Sequence, residues 1–286
     1  MKVPAAVWAQ HLLPQKLLSR FTYRLARCPW PWVKTPLIRW FVSHYGVDLG
    51  EAESSDVAGY RTFNEFFTRP LRRGARPIAA GAQTIISPVD GELTQFGTLQ
   101  EAVLLQAKGL SYRLEELLRE ERAAIRTLLD GSYATFYLAP HDYHRVHMPV
   151  AGVLRRTRYV PGRRFSVNAA TARGIRRLFC RNERVICWFD TACGPMALAL
   201  VGALNVSSIR TAWLGEIRSG AERVWSEDGG ARRYGRGAEI ARFNLGSTVI
   251  LVLPRGALSW REDLVAPSAL RLGEAIGTAR PPAAGS

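Results

Sequence analysis

Acidic residues are absent from the start of this chain. The first is Asp48, while Lys2, Lys16, Arg20, Arg24, Arg27, Lys34 and Arg39 lie spread among apolar positions before it. Over all 286 residues, 39 Lys and Arg stand against 24 Asp and Glu, a formal +15. An excess of that size needs an anionic partner, nucleic acid or acidic lipid. Cysteine is sparse as well. Cys28, Cys180, Cys187 and Cys193 form no CxxC pair, which argues against a zinc ribbon or disulfide framework and for a reducing compartment. Only four lysines occur, Lys2, Lys16, Lys34 and Lys108, none in a cofactor motif. Long apolar runs are missing too. The longest uncharged stretch, between Asp190 and Arg210, is broken by glycines, a proline, an asparagine and paired serines. It reads as a turn followed by buried strands and not as a membrane span. The N-terminus lacks the apolar core and small-residue cleavage site of a secretory signal, so those residues are expected in the mature protein.

Half of the eight tryptophans, Trp8, Trp30, Trp32 and Trp40, fall in residues 1–47. Helical spacing runs through Trp8, Leu12, Leu13, Leu17, Leu18, Phe21 and Leu25, and again through Leu37, Ile38, Phe41 and Val42. Basic, Trp-bearing amphipathic helices too charged to span suit a bilayer interface. Packing on a core is the plainer alternative, and it does not require every charge to be positive. Nucleic-acid binding is disfavoured, because bulky aliphatics interleave the basic residues and no binding motif appears.

The expected organisation is membrane-associating helices at 1–47, a connector at 48–82, a catalytic β-rich core at 83–265 and a partly disordered tail at 266–286. Short β-type runs punctuated by Gly and Pro recur from Thr84 onward, including ATFYLAP, RVICWFDTACG and STVILVLP. They predict an α+β fold, with N-terminal amphipathic helices followed by a mainly antiparallel β core and one or two inserted helices. One of these is expected in LEELLREERAAIRTLL, from Leu114.

Three of the five histidines, His141, His144 and His147, lie within seven residues. A metal is disfavoured, since neither helix nor strand geometry puts all three on one face and no Cys or carboxylate sits at ligand spacing. Solvated surface histidines are the bland reading. Proton transfer is the functional one, because imidazole titrates near neutrality. It needs an orienting carboxylate, for which Asp90 in SPVDGEL is a candidate, and a nucleophile. FNLGSTVILVLP offers Ser247 after Gly246. Ser247 Oγ could attack the Gly246 carbonyl, turning amide to ester. Elimination would then leave dehydroalanine, which hydrolyses to a pyruvoyl cap. Glycine suits the position before the serine because it has no Cβ to block attack and tolerates a strained backbone.

Taken together and in order, YRTFNEFFTRPLR, SPVDGEL, QAKG, YLAPHDYHRVHMPV, FSVN, LFCRNERV, VGALNVSSI and FNLGST resemble the bacterial phosphatidylserine decarboxylases from about Tyr60 to Thr248. The resemblance implies that Asp90, His147 and Ser247 form a self-cleavage triad acting between Gly246 and Ser247. It implies a covalent pyruvoyl cofactor made from Ser247, His144 as proton donor or acceptor, Ser166 near the substrate carboxylate, and no metal. The pyruvoyl group would form a Schiff base with phosphatidylserine and release CO2, leaving phosphatidylethanolamine. A large chain, 1–246, and a small one, 247–286, would stay associated, with a homodimer of that pair left open. Anionic membrane lipid would be the partner, without nucleic acid, at the cytoplasmic face of the cell membrane as a peripheral protein. A serine hydrolase using the same three residues lacks a G-x-S-x-G elbow. A non-enzymatic basic protein would not cleave, and a decarboxylase of a soluble amino acid would not need the amphipathic start.

Overall fold

The computed structural model describes residues 15–107, 110–203, 208–227, 232–244 and 247–280. Lys2, Trp8, Leu12, Leu13, Lys108 and Gly246, the side chain of Lys16 and the last six residues of the expected tail lie outside them. Two helices come first, α1 (Gln15–Ala26) and α2 (Pro31–Tyr45). Pro31 opens α2, where its missing N–H costs nothing, and Gly46 closes it in a left-handed conformation, φ 66°. A third helix, α3 (Phe63–Phe67), is capped by Thr62, whose hydroxyl accepts the Glu65 N–H. Ala26, Ile38, Phe41, Phe63, Phe66 and Phe67 share one apolar cluster among these helices. Lys34 is buried nearby because its ammonium donates to the carbonyls of Ala58 and Tyr60.

Strands dominate after residue 83. In order they are β1 (Thr84–Ile86), β2 (Gly91–Thr98), β3 (Val103–Ala107) and β4 (Leu110–Arg113), then a short helix α4 (Leu114–Leu118). Next come β5 (Ser132–Leu138), β6 (Arg145–His147) and β7 (Gly152–Val160), followed by helices α5 (Ala169–Gly174) and α6 (Leu178–Arg181). The series continues with β8 (Arg184–Thr191), β9 (Gly194–Gly202), β10 (Ile209–Thr211), β11 (Gly215–Ile217), β12 (Arg223–Ser226) and β13 (Arg233–Tyr234). It closes with β14 (Glu239–Phe243), β15 (Ser247–Leu253), β16 (Leu258–Trp260), β17 (Ser268–Leu270) and β18 (Ala275–Ala279). The result is the expected helical start and mainly antiparallel β core.

The largest sheet runs β12-β7-β8-β9-β15-β5-β2-β17, with β13 beside β7; a second runs β11-β10-β14-β6. Both faces of the large sheet are covered. Val249, Leu251 and Leu253 of β15 enter one apolar cluster, while Ile250 and Val252 enter another. This two-sided burial explains why STVILVL is a continuous apolar run where a half-exposed strand would alternate. The stretch after Asp190 is indeed a turn leading into β9, whose last seven residues are all buried.

Two local expectations change. LEELLREERAAIRTLL is not one helix: α4 stops where Arg119 turns left-handed, φ 57°, and residues Arg122–Leu128 form a separate 3-10 segment. Glu120 sits at the break, paired with Arg156 at 2.7 Å and Arg158 at 3.1 Å, so anchoring to β7 overrides local helix propensity. Within the tail expected to be partly disordered, Thr278 and Ala279 pair with Ser259 and Leu258 of β16.

Candidate active site

Between Phe243 and Ser247 the chain leaves the four-stranded sheet and enters the nine-stranded one. Ser247 therefore stands at the head of a central strand, opposite Leu138 of β5 on one side and Gly202 of β9 on the other. It is fully buried, and its Oγ has no hydrogen-bond partner among the described residues. A buried hydroxyl left unpaired is costly, and the Thr248 hydroxyl beside it is also without a partner among the described residues.

The strand register carries Asp90 into the same neighbourhood. Glu92 of β2 pairs with Tyr137 of β5, so the start of β2 lies beside the end of β5. That places Asp90 about two strand spacings, roughly 10 Å, from Ser247. Gly91 makes the approach feasible: at φ 151°, a Cβ there would come within 2.3 Å of the Tyr137 carbonyl oxygen. Asp90 itself is buried and fully engaged. Arg76 Nε donates to its two oxygens at 2.8 and 3.0 Å, Arg76 Nη2 donates at 2.6 Å, and the Leu272 N–H donates at 2.8 Å. Glu51 accepts from Arg76 at 2.7 Å and from Arg271 at 2.9 Å.

The histidines differ from one another. His141 is half exposed and lies near Asp142 at 3.6 Å. His144 precedes β6, fully buried under the Phe67 ring at 4.1 Å between centroids, and its carbonyl accepts the Phe243 N–H at 3.0 Å. Its Nδ1 lies 2.8 Å from the Asp142 carbonyl, an acceptor only, so Nδ1 holds the proton and Nε2 presents a bare lone pair. Nε2 has no partner among the described residues. Burial pushes the His144 imidazole down to about 3, so it is neutral at physiological pH. His147 is arranged likewise, Nδ1 donating to the Gly237 carbonyl at 2.8 Å, but its Nε2 accepts the Tyr143 hydroxyl at 3.2 Å. Its pKa is also lowered, chiefly by burial, while Tyr143 is pushed up to about 12 by the same cause and stays a donor.

His144 thus lies beside Phe243, at the end of β14 from which the chain goes on to Ser247, His147 lies beside Glu239 at the other end of β14, and Asp90 precedes β2. Asp90 and His147 are not hydrogen-bonded to each other among the described residues: Arg76 and the Leu272 amide hold the carboxylate, and the Gly237 carbonyl orients the imidazole. Ser166 follows Phe165, which is held by a side chain. Buried Asn182 accepts from Phe165 N–H at 3.1 Å and donates to the carbonyls of Phe165 and Gly202, both at 2.8 Å. That link sets the Phe165–Ser166 segment beside Gly202, the β9 partner of Ser247. Sequence reading missed Arg76, one arginine in a run of four between Arg69 and Arg76, and missed Tyr143, Gly237 and Asn182, because their roles depend on which strand end they meet. Among the described residues no group of three or more His, Cys, Asp or Glu could hold a metal ion.

A family model described as phosphatidylserine decarboxylase matches residues 63–278, and a second, described as PSD, matches 5–46. Among curated relatives, the phosphatidylserine decarboxylase proenzyme of Azotobacter vinelandii is 46% identical over 284 residues, covering 98% of this chain and 99% of the relative. That of Methylococcus capsulatus is 47% identical over 274 residues, 95% of each chain. The proenzyme of Stutzerimonas stutzeri is 45% identical over 291 aligned positions, covering 100% of this chain and 98% of the relative.

Proposed function

The chain belongs to the phosphatidylserine decarboxylase family, and we propose that Ser247, at the head of β15, becomes the electrophile with which it works. The enzyme is a carboxy-lyase made as a precursor, taking CO2 from phosphatidylserine and leaving phosphatidylethanolamine. The observation that carries the assignment is the buried, unpartnered Ser247 Oγ at the crossing between two sheets.

In the proposed maturation, Ser247 Oγ attacks the Gly246 carbonyl and the Gly246–Ser247 amide becomes an ester. Loss of the Ser247 α-proton expels the Gly246 carboxylate, and water then replaces the nitrogen, releasing ammonia and leaving a pyruvoyl cap on the small chain. His147 is the base and Asp90 the carboxylate that stabilises its protonated form. Tyr143 must release the His147 Nε2 lone pair before that base can act. The site fits the group: Ser247, whose Cα would become the ketone carbon while its Oγ departs with the Gly246 carboxylate, is fully buried at the head of β15. A pyruvoyl group supplies an electron sink for the charge left when CO2 departs. His144 holds Nε2 free to accept or return a proton, and the Asn182-tied segment presents Ser166 toward the carboxylate.

The cut ends remain together, because Ser247–Leu253 is zipped between β5 and β9 and Leu272 stays bonded to Asp90 across the chains. Membrane contact is assigned to the N-terminal helices. Leu17, Phe21, Trp30, Trp32 and Trp40 are all exposed there, with Trp30 and Trp32 stacked at 5.3 Å and Arg20 and Arg24 alongside. Aromatic and basic groups together suit the interface of an anionic bilayer, at the cytoplasmic face. Among the described residues no helix is long and apolar enough to cross a membrane.

Intact mass spectrometry of the purified protein tests the proposal. Two chains are expected, the smaller starting with pyruvoyl in place of serine, and Ser247→Ala should give one inactive chain. Cleavage that persists in Ser247→Ala, or a fully active uncut chain, would falsify it.

A further inference from the structure

The segment leading to the scissile bond is tied to the first helix by a chain of side chains that the reaction itself does not use. Asn244 follows β14, three positions before Ser247, and is buried. Its Nδ2 donates to Ser208 Oγ at 2.6 Å and its backbone N–H to the Ser208 carbonyl at 3.2 Å. The Ser208 hydroxyl, also buried, donates to Glu216 Oε1 at 2.6 Å. The same carboxylate oxygen receives Arg27 Nη2 at 2.9 Å. Arg27 follows directly on α1 and lies over the Tyr23 ring of that helix at 3.7 Å.

The direction of each bond makes the order meaningful. A carboxylate only accepts, so Glu216 orients the Ser208 O–H toward itself and leaves a Ser208 lone pair facing the Asn244 amide. The other end of the scissile segment is already fixed by Ser247 in β15, between β5 and β9. Attack by Ser247 on the preceding carbonyl is a reaction between groups on adjacent residues, and its rate depends on holding both ends in near-attack geometry.

We propose that Glu216 is a positioning residue for self-cleavage. Through Ser208 and Asn244 it fixes the segment entering the Gly246–Ser247 bond, and through Arg27 it makes that fixation depend on α1 being docked. The inference rests on cleavage at that bond, as proposed above.

The test follows cleavage of the full chain after cell-free synthesis, by intact mass against time. Glu216→Leu removes the acceptor and should slow cleavage about tenfold, the factor corresponding to one hydrogen bond of ordinary net strength. Glu216→Gln keeps an acceptor oxygen and should restore most of the rate. Arg27→Gln should slow cleavage by a smaller factor, about threefold, as expected for a partly exposed ion pair. The Arg27→Gln/Glu216→Leu double variant should be no slower than Glu216→Leu alone, since both act through one carboxylate. Once cut, every variant should decarboxylate with native kcat and KM. A Glu216→Leu chain that cleaves at the native rate overturns the proposal. So does slow cleavage shared by Glu216→Gln and matched by a lower unfolding temperature in the uncut Ser247→Ala background, which would make the role merely structural. A native rate for Arg27→Gln, or additive slowing in the double variant, overturns the link to α1. Failure of the native chain to cleave at all strikes the maturation scheme first, and the two failures are thereby distinguished.

Discussion

In β15 all seven residues are buried, whereas around α1 and α2 four large apolar side chains, Phe21, Trp30, Trp32 and Trp40, are exposed. Trp32 is 72% exposed. The charges differ in the same sense. Arginines of the core are mostly paired, as Arg76 is with Asp90 and Glu51 and Arg164 with Glu183, while the first acidic residue of the chain comes only after α2. The contrast teaches that one chain can meet two apolar phases. The strand satisfies its apolar groups internally, and in the proposed membrane-bound state the helices would offer their exposed ones to an external phase. Phe67 is the joint, a member of the helical cluster whose ring covers His144.

The change with the greatest expected effect on this contrast is therefore Phe67→Ala. It opens a cavity between the two regions and should cost about 3 to 5 kcal/mol in urea denaturation, with a fall in decarboxylation because His144 loses its cover. An unchanged stability would mean that helices and core are independent.

A smaller and opposite signature is expected outside. Replacing Trp30 and Trp32 together by Ala should weaken binding to phosphatidylglycerol-containing vesicles about tenfold, near 1.4 kcal/mol, while stability moves by less than about 0.5 kcal/mol. Vesicle co-sedimentation beside thermal unfolding separates the two quantities. A large loss of stability would place the tryptophans in the internal economy of the fold.

The subtlest test uses pH. His144 titrates at about 3 when folded, against an ordinary value of 6.5. Above about 6.5 both folded and unfolded forms are neutral and the group adds no pH dependence. As pH falls from there toward about 3, the unfolded chain takes up a proton that the folded site refuses, so stability declines. Urea midpoints of the Ser247→Ala chain should drop between pH 7.5 and pH 5, and His144→Leu should flatten that slope. His147, lowered by burial in the same direction, retains its share. A slope untouched by His144→Leu would show that this imidazole is not buried as described.

Much of the architecture was legible beforehand because it rests on local chemistry. The run STVILVLP read as a strand, and its burial on both faces came only from the structure. The Gly and Pro spacing after residue 83 set the rhythm of an antiparallel system. The motif order from YRTFNEFF to FNLGST pointed to the family and to Ser247, His147, His144 and Asp90 as a set. LEELLREERAAIRTLL misled for a physical reason. Its helix propensity is real, but Glu120 gains two arginine partners by leaving the helix.

The sequence by itself thus determined the residue types of the candidate site, the strand on which Ser247 sits and the absence of acidic residues before Asp48, since each is carried by neighbours along the chain. Only the tertiary structure decided that Asp90 is held by Arg76 and by the Leu272 amide 182 positions away. It also decided that Gly237 orients His147, that Phe67 shields His144, and that Arg27 reaches Asn244 through Glu216 and Ser208. These relations depend on strand register and on the crossing from one sheet to the other. Hydrogen bonds between distant residues leave no periodic trace in sequence, whereas burial and turn chemistry do.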